Sequence, residues 1–263
     1  MIHVAQNGAL ATVTLDRSPL NTFDEEQVDA LAAATVQLRE APEVALVLLR
    51  GAGGAFCAGA DIGLLAAHRD GEEPAREVTR FAASMQGALA EWEALELPTV
   101  AVLTGAAVGA GLELALACDL RVASHTARIG LPEASLGLIP GGGGTQRLTR
   151  LVGTGRAKRL MFGAELVGGE EAERLAIVEW AAPDDQLEDL VDRIVAATLA
   201  QSPDSLREIK RCVSLVGTLH GFDTEIEAVR RLHATPDTAK RIQAFLDASP
   251  PISRGSVPTN GGR

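Results

Sequence analysis

GLPEASLGLIPGGGGTQRL, residues 130–148, sets one carboxylate, Glu133, beside Pro132 and then runs through four consecutive glycines, 141–144. Glycine has no Cβ, so such a run lets main chain approach a neighbouring group closely, although taken alone it also reads as a set of tight turns. Two upstream segments bear on the choice: GAGGAFCAGADIGLL (51–65) and TGAAVGAGLELALACD (104–119). Each puts small residues at a strand-to-helix junction, where the first backbone N–H groups of a helix have no intrahelical partner and can meet a ligand. Two such junctions can hold one oxygen between them, and three together favour a ligand site over turns.

Glu113 is the second informative acid. It falls in the first turn of a helix otherwise built from Leu, Ala and Cys, where a charge needs a partner or a purpose. The helix dipole alone also accounts for an acid there, and Glu133 alone also reads as a solvated loop acid. A dinucleotide loop is excluded, because Gly109-Ala110-Gly111 is followed by Leu112, Glu113 and Leu114 where a third Gly or Ala is required. Neither a phosphate loop ending in Gly-Lys-Ser/Thr nor a G-x-S-x-G nucleophile elbow occurs.

Working outward, Ile2–Gln6 and Ala9–Leu15 alternate around Asn7-Gly8 and predict a β-hairpin. Asp24 caps a helix with Gln27 as reciprocal partner, Val28, Leu31, Thr35 and Leu38 sharing one face before Pro42. Val44–Leu49 and Thr99–Leu103 are short unbroken apolar runs, the pattern of strands covered on both faces. Between them Val78, Phe81, Met85, Leu89, Trp92 and Leu95 recur at helical spacing from Pro74 to Pro98. A helix over 110–117 and a strand over 120–123 repeat the strand–helix pattern. Helices follow at 156–162, 170–176, 187–199, 205–215, 224–233 and 238–248, with one strand at 177–180. The organisation read from this is a sheet-rich body over 1–200, a helical part over 201–250 and a flexible tail over 251–263.

The 263 residues are 46% apolar and 22% charged with a net charge of −11, which supplies material for a core and repels phosphate backbones at long range. Nucleic acid is therefore not the expected partner, and Arg147, Arg150, Arg156, Lys158 and Arg159 read as a solvated or subunit-facing surface. The apolar stretch from Val100 to Leu112 is shorter than the ~18 residues of a membrane span, so no membrane is expected. Cys57, Cys118 and Cys212 make no disulfide framework, and Met1–Gln6 is no signal peptide, which together predict a cytoplasmic protein. His3, His68, His125, His220 and His233 are too scattered for a zinc pattern, so no metal site is expected.

The three glycine segments together resemble the enoyl-CoA hydratase/isomerase family, or crotonase superfamily. FCAGADI looks like its first oxyanion segment, GAGLELALACDLRVA like its second, and residues 130–148 like its most diagnostic stretch. The resemblance covers roughly residues 3 to 250. It implies an α/β fold, a crotonase-like spiral of repeated ββα units with a C-terminal helical part, the latter serving oligomerisation as a homotrimer or dimer of trimers. It implies an acyl-CoA substrate and no further cofactor, coenzyme A being part of the substrate. The backbone amides of Ala60 and Ala110 would form the oxyanion hole, Ala110 standing where many relatives have glycine.

Relatives that hydrate a double bond carry two glutamates, and both matching positions here are acids. Glu113 would activate water and Glu133 would protonate C2, with the Gly141 backbone helping to set water and acid and the glycine run approaching Glu133. Ala58, Asp61, Ile62 and Gly63 would line the pantetheine and adenine, Arg17 and Leu20 would border the nucleotide, and Phe245 would contribute from the last helix. Gly63 and Ala248 replace basic residues of many relatives. The expected activity is reversible syn hydration of a trans-2-enoyl-CoA. The rivals are an enoyl-CoA isomerase, another enolate-forming acyl-CoA lyase, and a non-catalytic acyl-CoA or RNA binder.

Overall fold

The computed structural model describes residues 1–61, 63 and 72–248. The expected loose tail at 251–263 lies outside them. The chain divides into two compact units, Met1–Gln201 and Ser202–Arg263.

The first unit is built by winding. β1 (Ile2–Asn7) and β2 (Leu10–Leu15) form the hairpin, Val4 opposite Val13, and lead into α1 (Glu25–Arg39). The Gln27 amide donates to the Asp24 carboxylate at 2.9 Å, which starts the helix, and Val28, Leu31, Thr35 and Leu38 are all buried. The next turn gives β3 (Leu46–Gly51) and α2 (Glu72–Glu93). The third gives β4 (Thr99–Leu103), β5 (Ala106–Val108) and α3 (Ala110–Leu116). The fourth gives β6 (Leu120–Ser124), β7 (Arg128–Gly130), a 3-10 turn over Glu133–Leu136, then α4 (Gly144–Val152) and α5 (Thr154–Phe162). α6 (Gly169–Arg174), β8 (Trp180–Ala182) and α7 (Leu187–Leu199) complete the unit.

The main sheet has the order β1-β2-β3-β4-β6-β8, parallel from β2 onward. β5 pairs with β7 in a small second sheet, which Cys57 joins through a bridge to Ala107. The third and fourth turns thus each send one strand to each sheet, the ββα repeat, and the second does so with β3 and the Cys57 bridge. The period of two in a strand explains the unbroken apolar run in β3. Leu46 and Leu48 pack in a cluster with Val100, Val102, Val122 and α7, while Val47 and Leu49 join the larger core with α1, α2 and α3.

One local expectation needs correction, and three elements went unread. The last strand is Trp180–Ala182 and not 177–180, because Ile177 closes the end of α6 by donating to the Ala172 carbonyl at 2.8 Å. Ile177 and Val178 are apolar because they are buried in that turn. α4 was hidden by the glycine run that precedes it, and β5 and β7 are too short for alternation to reveal.

One buried cation braces the helix that carries Glu113. Arg121, 3% exposed, donates to the carbonyls of Ala115 and Cys118 past the end of α3, to that of Ile177 at 2.9 Å, and to Glu179 at 2.6 Å. The guanidinium thus adds donors at the C-terminal end of α3, where the Ala115 carbonyl also accepts from the Cys118 amide at 3.2 Å.

The second unit contains α8 (Pro203–Ser214), α9 (His220–His233) and α10 (Pro236–Ala248). Glu208 accepts from Arg231 at 2.8 Å, and Ser202 donates to Asp237 at 2.7 Å. Phe222, Ile226 and Phe245 are exposed.

Candidate active site

The site begins with Gly109, whose φ of +56° and ψ of −125° turn the chain from β5 into α3. That backbone suits glycine, and a Cβ there would lie 2.9 Å from Glu133 Oε1 and 3.9 Å from the Gly59 Cα. Gly59, Gly109 and the 3-10 turn of Glu133 therefore meet at one point, which joins the two upstream glycine-rich segments.

The two segments are also stitched by main chain. The Cys57 amide donates to the Ala106 carbonyl at 2.8 Å, and the Val108 amide to the Cys57 carbonyl at 3.0 Å. In the strip from 58 to 61 the amides of Ala58, Gly59 and Asp61 are used by the Leu20 carbonyl, Cys57 Sγ and the Phe23 carbonyl. Ala60 is the exception: facing Phe23 in a parallel bridge, it points its N–H away, and no acceptor for it occurs among the described residues. The Ala110 amide is likewise without one, since it opens α3. A Cβ built on Gly59 falls 3.8 Å from the Ala110 nitrogen, so these two free donors sit on adjoining backbone.

Glu113, 3% exposed, accepts at Oε1 from the amides of Gly142 and Gly144, each at 2.8 Å. This accounts for the glycines at 142 and 144. A Cβ on Gly142 would stand 2.6 Å from Glu113 Oε2, and one on Gly144 would stand 3.0 Å from Oε1. The run approaches Glu113, not Glu133 as the sequence suggested, and the donors are Gly142 and Gly144. Gly141 instead offers its carbonyl to Gln86 Nε2 at 2.6 Å.

Burial is the largest influence on Glu113 and raises its pKa; the two amides and the charge of Arg147 oppose it. Glu133 is pushed up to about 7, first by burial and further by the negative charge of Glu113, against its own amide. Glu133 Oε2 is buried with no hydrogen-bond partner among the described residues. With two amide donors and a nearby arginine, Glu113 is the better place for the negative charge, and Glu133 the better place for the proton.

Not every expected residue joins this group. Leu20 and Ala58 meet through their backbone bond, and Gly63 donates to its neighbour Asp61 at 2.8 Å. The amides of Ala58, Asp61 and Gly63 are thus already engaged. Arg17 is paired at 2.8 Å with both Asp24 and Asp61, which neutralise it locally. Ile62 lies outside the described residues, and Phe245 belongs to the second compact unit, 71% exposed.

Arg147 was misplaced by sequence reasoning, which put it on a basic surface. Its side chain is only 11% exposed; Nη1 donates to the Gly142 carbonyl at 2.9 Å while Nε and Nη2 reach Glu93 Oε2 at 3.1 and 2.9 Å. Among the described residues no group of three or more His, Cys, Asp or Glu could hold a metal, and no helix is long and apolar enough to cross a membrane.

A parallel sheet wound in ββα turns, with one buried and one half-buried acid at its glycine-rich junctions, is the crotonase fold. The chain belongs to the enoyl-CoA hydratase/isomerase family, whose model matches residues 5–251. It is 33% identical to a short-chain-enoyl-CoA hydratase of Clostridium acetobutylicum over 92% of this chain and 93% of that one. It is 35% identical to an enoyl-CoA isomerase/hydratase of Mycosarcoma maydis over 82% of this chain and 79% of the other. The crystal structure of an enoyl-CoA hydratase from Bacillus anthracis superposes with a TM-score of 0.86 at 33% identity, covering 94% of this chain and 96% of that one.

Proposed function

We propose that the protein catalyses reversible syn addition of water to a trans-2-enoyl-CoA, giving a 3-hydroxyacyl-CoA. The thioester oxygen lies between the amides of Ala60 and Ala110, which stabilise the enolate that forms when water attacks C3. Each such donor contributes on the order of 3 kcal/mol to transition-state stabilisation. Glu113, ionised, takes a proton from the attacking water, and Glu133, neutral, delivers its proton to C2. The pair ends with the proton exchanged, and solvent resets it. Acid–base chemistry and main-chain donors account for each step, so the reading invokes no metal or redox group.

The observation that carries this reading is the asymmetry of the two acids: Glu113 held by two amides at 2.8 Å, Glu133 with one oxygen unpartnered and its pKa near 7. Asymmetry of this kind separates a base from an acid. An isomerase needs only Glu133, which would shuttle one proton along the acyl chain. The M. maydis relative, named for both activities, keeps that reading in view.

Loss of the conjugated absorbance of a short enoyl-CoA measures hydration. Glu113→Gln should lower that rate at least ~100-fold, the usual weight of a general base, while leaving migration of a 3,4 double bond largely intact. Glu133→Gln should abolish both. Wild-type protein that moves the double bond but adds no water would refute the hydratase reading.

A further inference from the structure

Resting on the reading of Glu113 as the base, we infer that Arg147 is a positioning residue for it, acting through Gly142. Gly142 is held from two sides. Its amide donates to Glu113 Oε1 at 2.8 Å, and its carbonyl accepts from Arg147 Nη1 at 2.9 Å. The remaining edge of the guanidinium is tied to Glu93 on α2, with Nε and Nη2 at 3.1 and 2.9 Å from one oxygen. A planar fork fixed at two edges cannot be replaced by a point charge. The loop it braces has no side chains of its own from 141 to 144, so the direction of its amides depends on what grips the carbonyls: Gln86 holds that of Gly141, the amides of Gln146 and Arg147 hold that of Gly143, and the Arg147 guanidinium holds that of Gly142, the peptide plane between the two donors.

Arg147 also acts through space. Among the described residues it carries the positive charge that opposes the burial of Glu113, while the charge of Glu113 in turn raises Glu133 on the 3-10 turn. Glu93 is the only further charged group bound to Arg147 among the described residues, and at 45% exposure it is well screened. A purely structural ion pair between α2 and α4 would stabilise the fold and leave the titration of Glu113 untouched. A positioning role moves that titration.

The test uses Arg147→Gln, Arg147→Lys and Glu93→Gln in the full-length protein. The Glu113 carboxyl is followed by carbon-13 NMR of glutamate-labelled protein, assigned with Glu113→Gln, and the Gly142 and Gly144 amides by proton–nitrogen spectra, all without substrate. Arg147→Gln is expected to move the Glu113 titration to higher pH and to shift both amides. Hydration at pH 7 should fall roughly 10- to 100-fold with little change in KM, since a small misplacement of a reacting group costs that much. Arg147→Lys should restore the titration toward wild type while the amides stay shifted, because charge returns and the fork does not. Glu93→Gln, which leaves the bond to Gly142, should keep most activity. Unchanged Glu113 titration in Arg147→Gln overturns the inference, whatever happens to the rate. If that variant does not fold, unmoved Gly142 and Gly144 amides in Arg147→Lys overturn it. Absence of hydration by the wild type would instead overturn the proposed reaction and leave the titration to judge Arg147.

Discussion

Replacing Gly142 by alanine places a methyl group 2.6 Å from Glu113 Oε2, 3.0 Å from its Cδ and 3.4 Å from Oε1. To reach ordinary van der Waals contact the carboxyl must retreat by about 0.8 Å, and a retreat of that size along either 2.8 Å bond leaves no hydrogen bond. A hydrogen bond to a charged group contributes ~1.5–3 kcal/mol, so losing one or both removes about 3 kcal/mol from the ionised state of a residue that is 3% exposed. Glu113 then holds its proton more tightly and points away from the water it is to activate. At 1.36 kcal/mol per factor of ten, kcat for hydration of a short enoyl-CoA should fall ~100-fold at pH 7. Gly141→Ala is the matched control: its Cβ would meet only the Ala82 Cβ at 3.5 Å and the Ile139 carbonyl oxygen at 4.0 Å, so near-native activity is expected. Gly142→Ala with wild-type kcat, or with Glu113 still on both amides in its crystal structure, refutes the reasoning.

Hydration should decline above pH about 7, where Glu133 gives up the proton it donates; a flat kcat/KM profile from pH 6 to 9 contradicts this. The same shift has a stability consequence, because a carboxyl raised from its ordinary 4.5 to about 7 binds its proton more tightly when folded. Its contribution is full below pH 4.5 and lost as pH rises through 7. Glu133→Gln should therefore unfold later than wild type at pH 8, by about 2 kcal/mol after allowing for the solvent that reaches the group, and alike at pH 4, as urea titrations can check. Arg121→Met takes the guanidinium donors from the carbonyls of Ala115, Cys118 and Ile177 and the cation from Glu179, which keeps only the main-chain amide of residue 121, and denaturant unfolding should show a loss of ~3 kcal/mol.

Sequence reading reached those parts of the molecule whose signals are local. β3 and β4 were legible because a buried parallel strand needs apolar residues on both faces, and Leu46 through Leu49 supply them. The Asp24 cap and the buried face of α1 were legible for the same reason, each being decided within a few residues. β5 was not, since Ala106–Val108 acquires its conformation from Cys57 and from β7, far away in sequence. α4 follows glycines that disfavour helix in isolation, and only its contacts fix its start. At the site, both acids were evident as charges in apolar or glycine-rich surroundings. Which acid the glycines serve was not, because Gly142 and Glu113 are 29 residues apart and only the folded chain matches their donors and acceptor. Arg147 was unreadable for a related reason: within a basic cluster, nothing local distinguishes the one cation that turns inward.

The account depends most on two amides and two carboxyls sharing one thioester. A crystal structure of the protein with a bound acyl-CoA measures that directly. The thioester oxygen should lie 2.7–3.1 Å from the nitrogens of both Ala60 and Ala110, in roughly the geometry an oxyanion hole requires, with the carboxyls of Glu113 and Glu133 on the same side of the acyl C2–C3 bond. A thioester oxygen bound away from those amides, or a C2–C3 bond reached by neither acid, would contradict it.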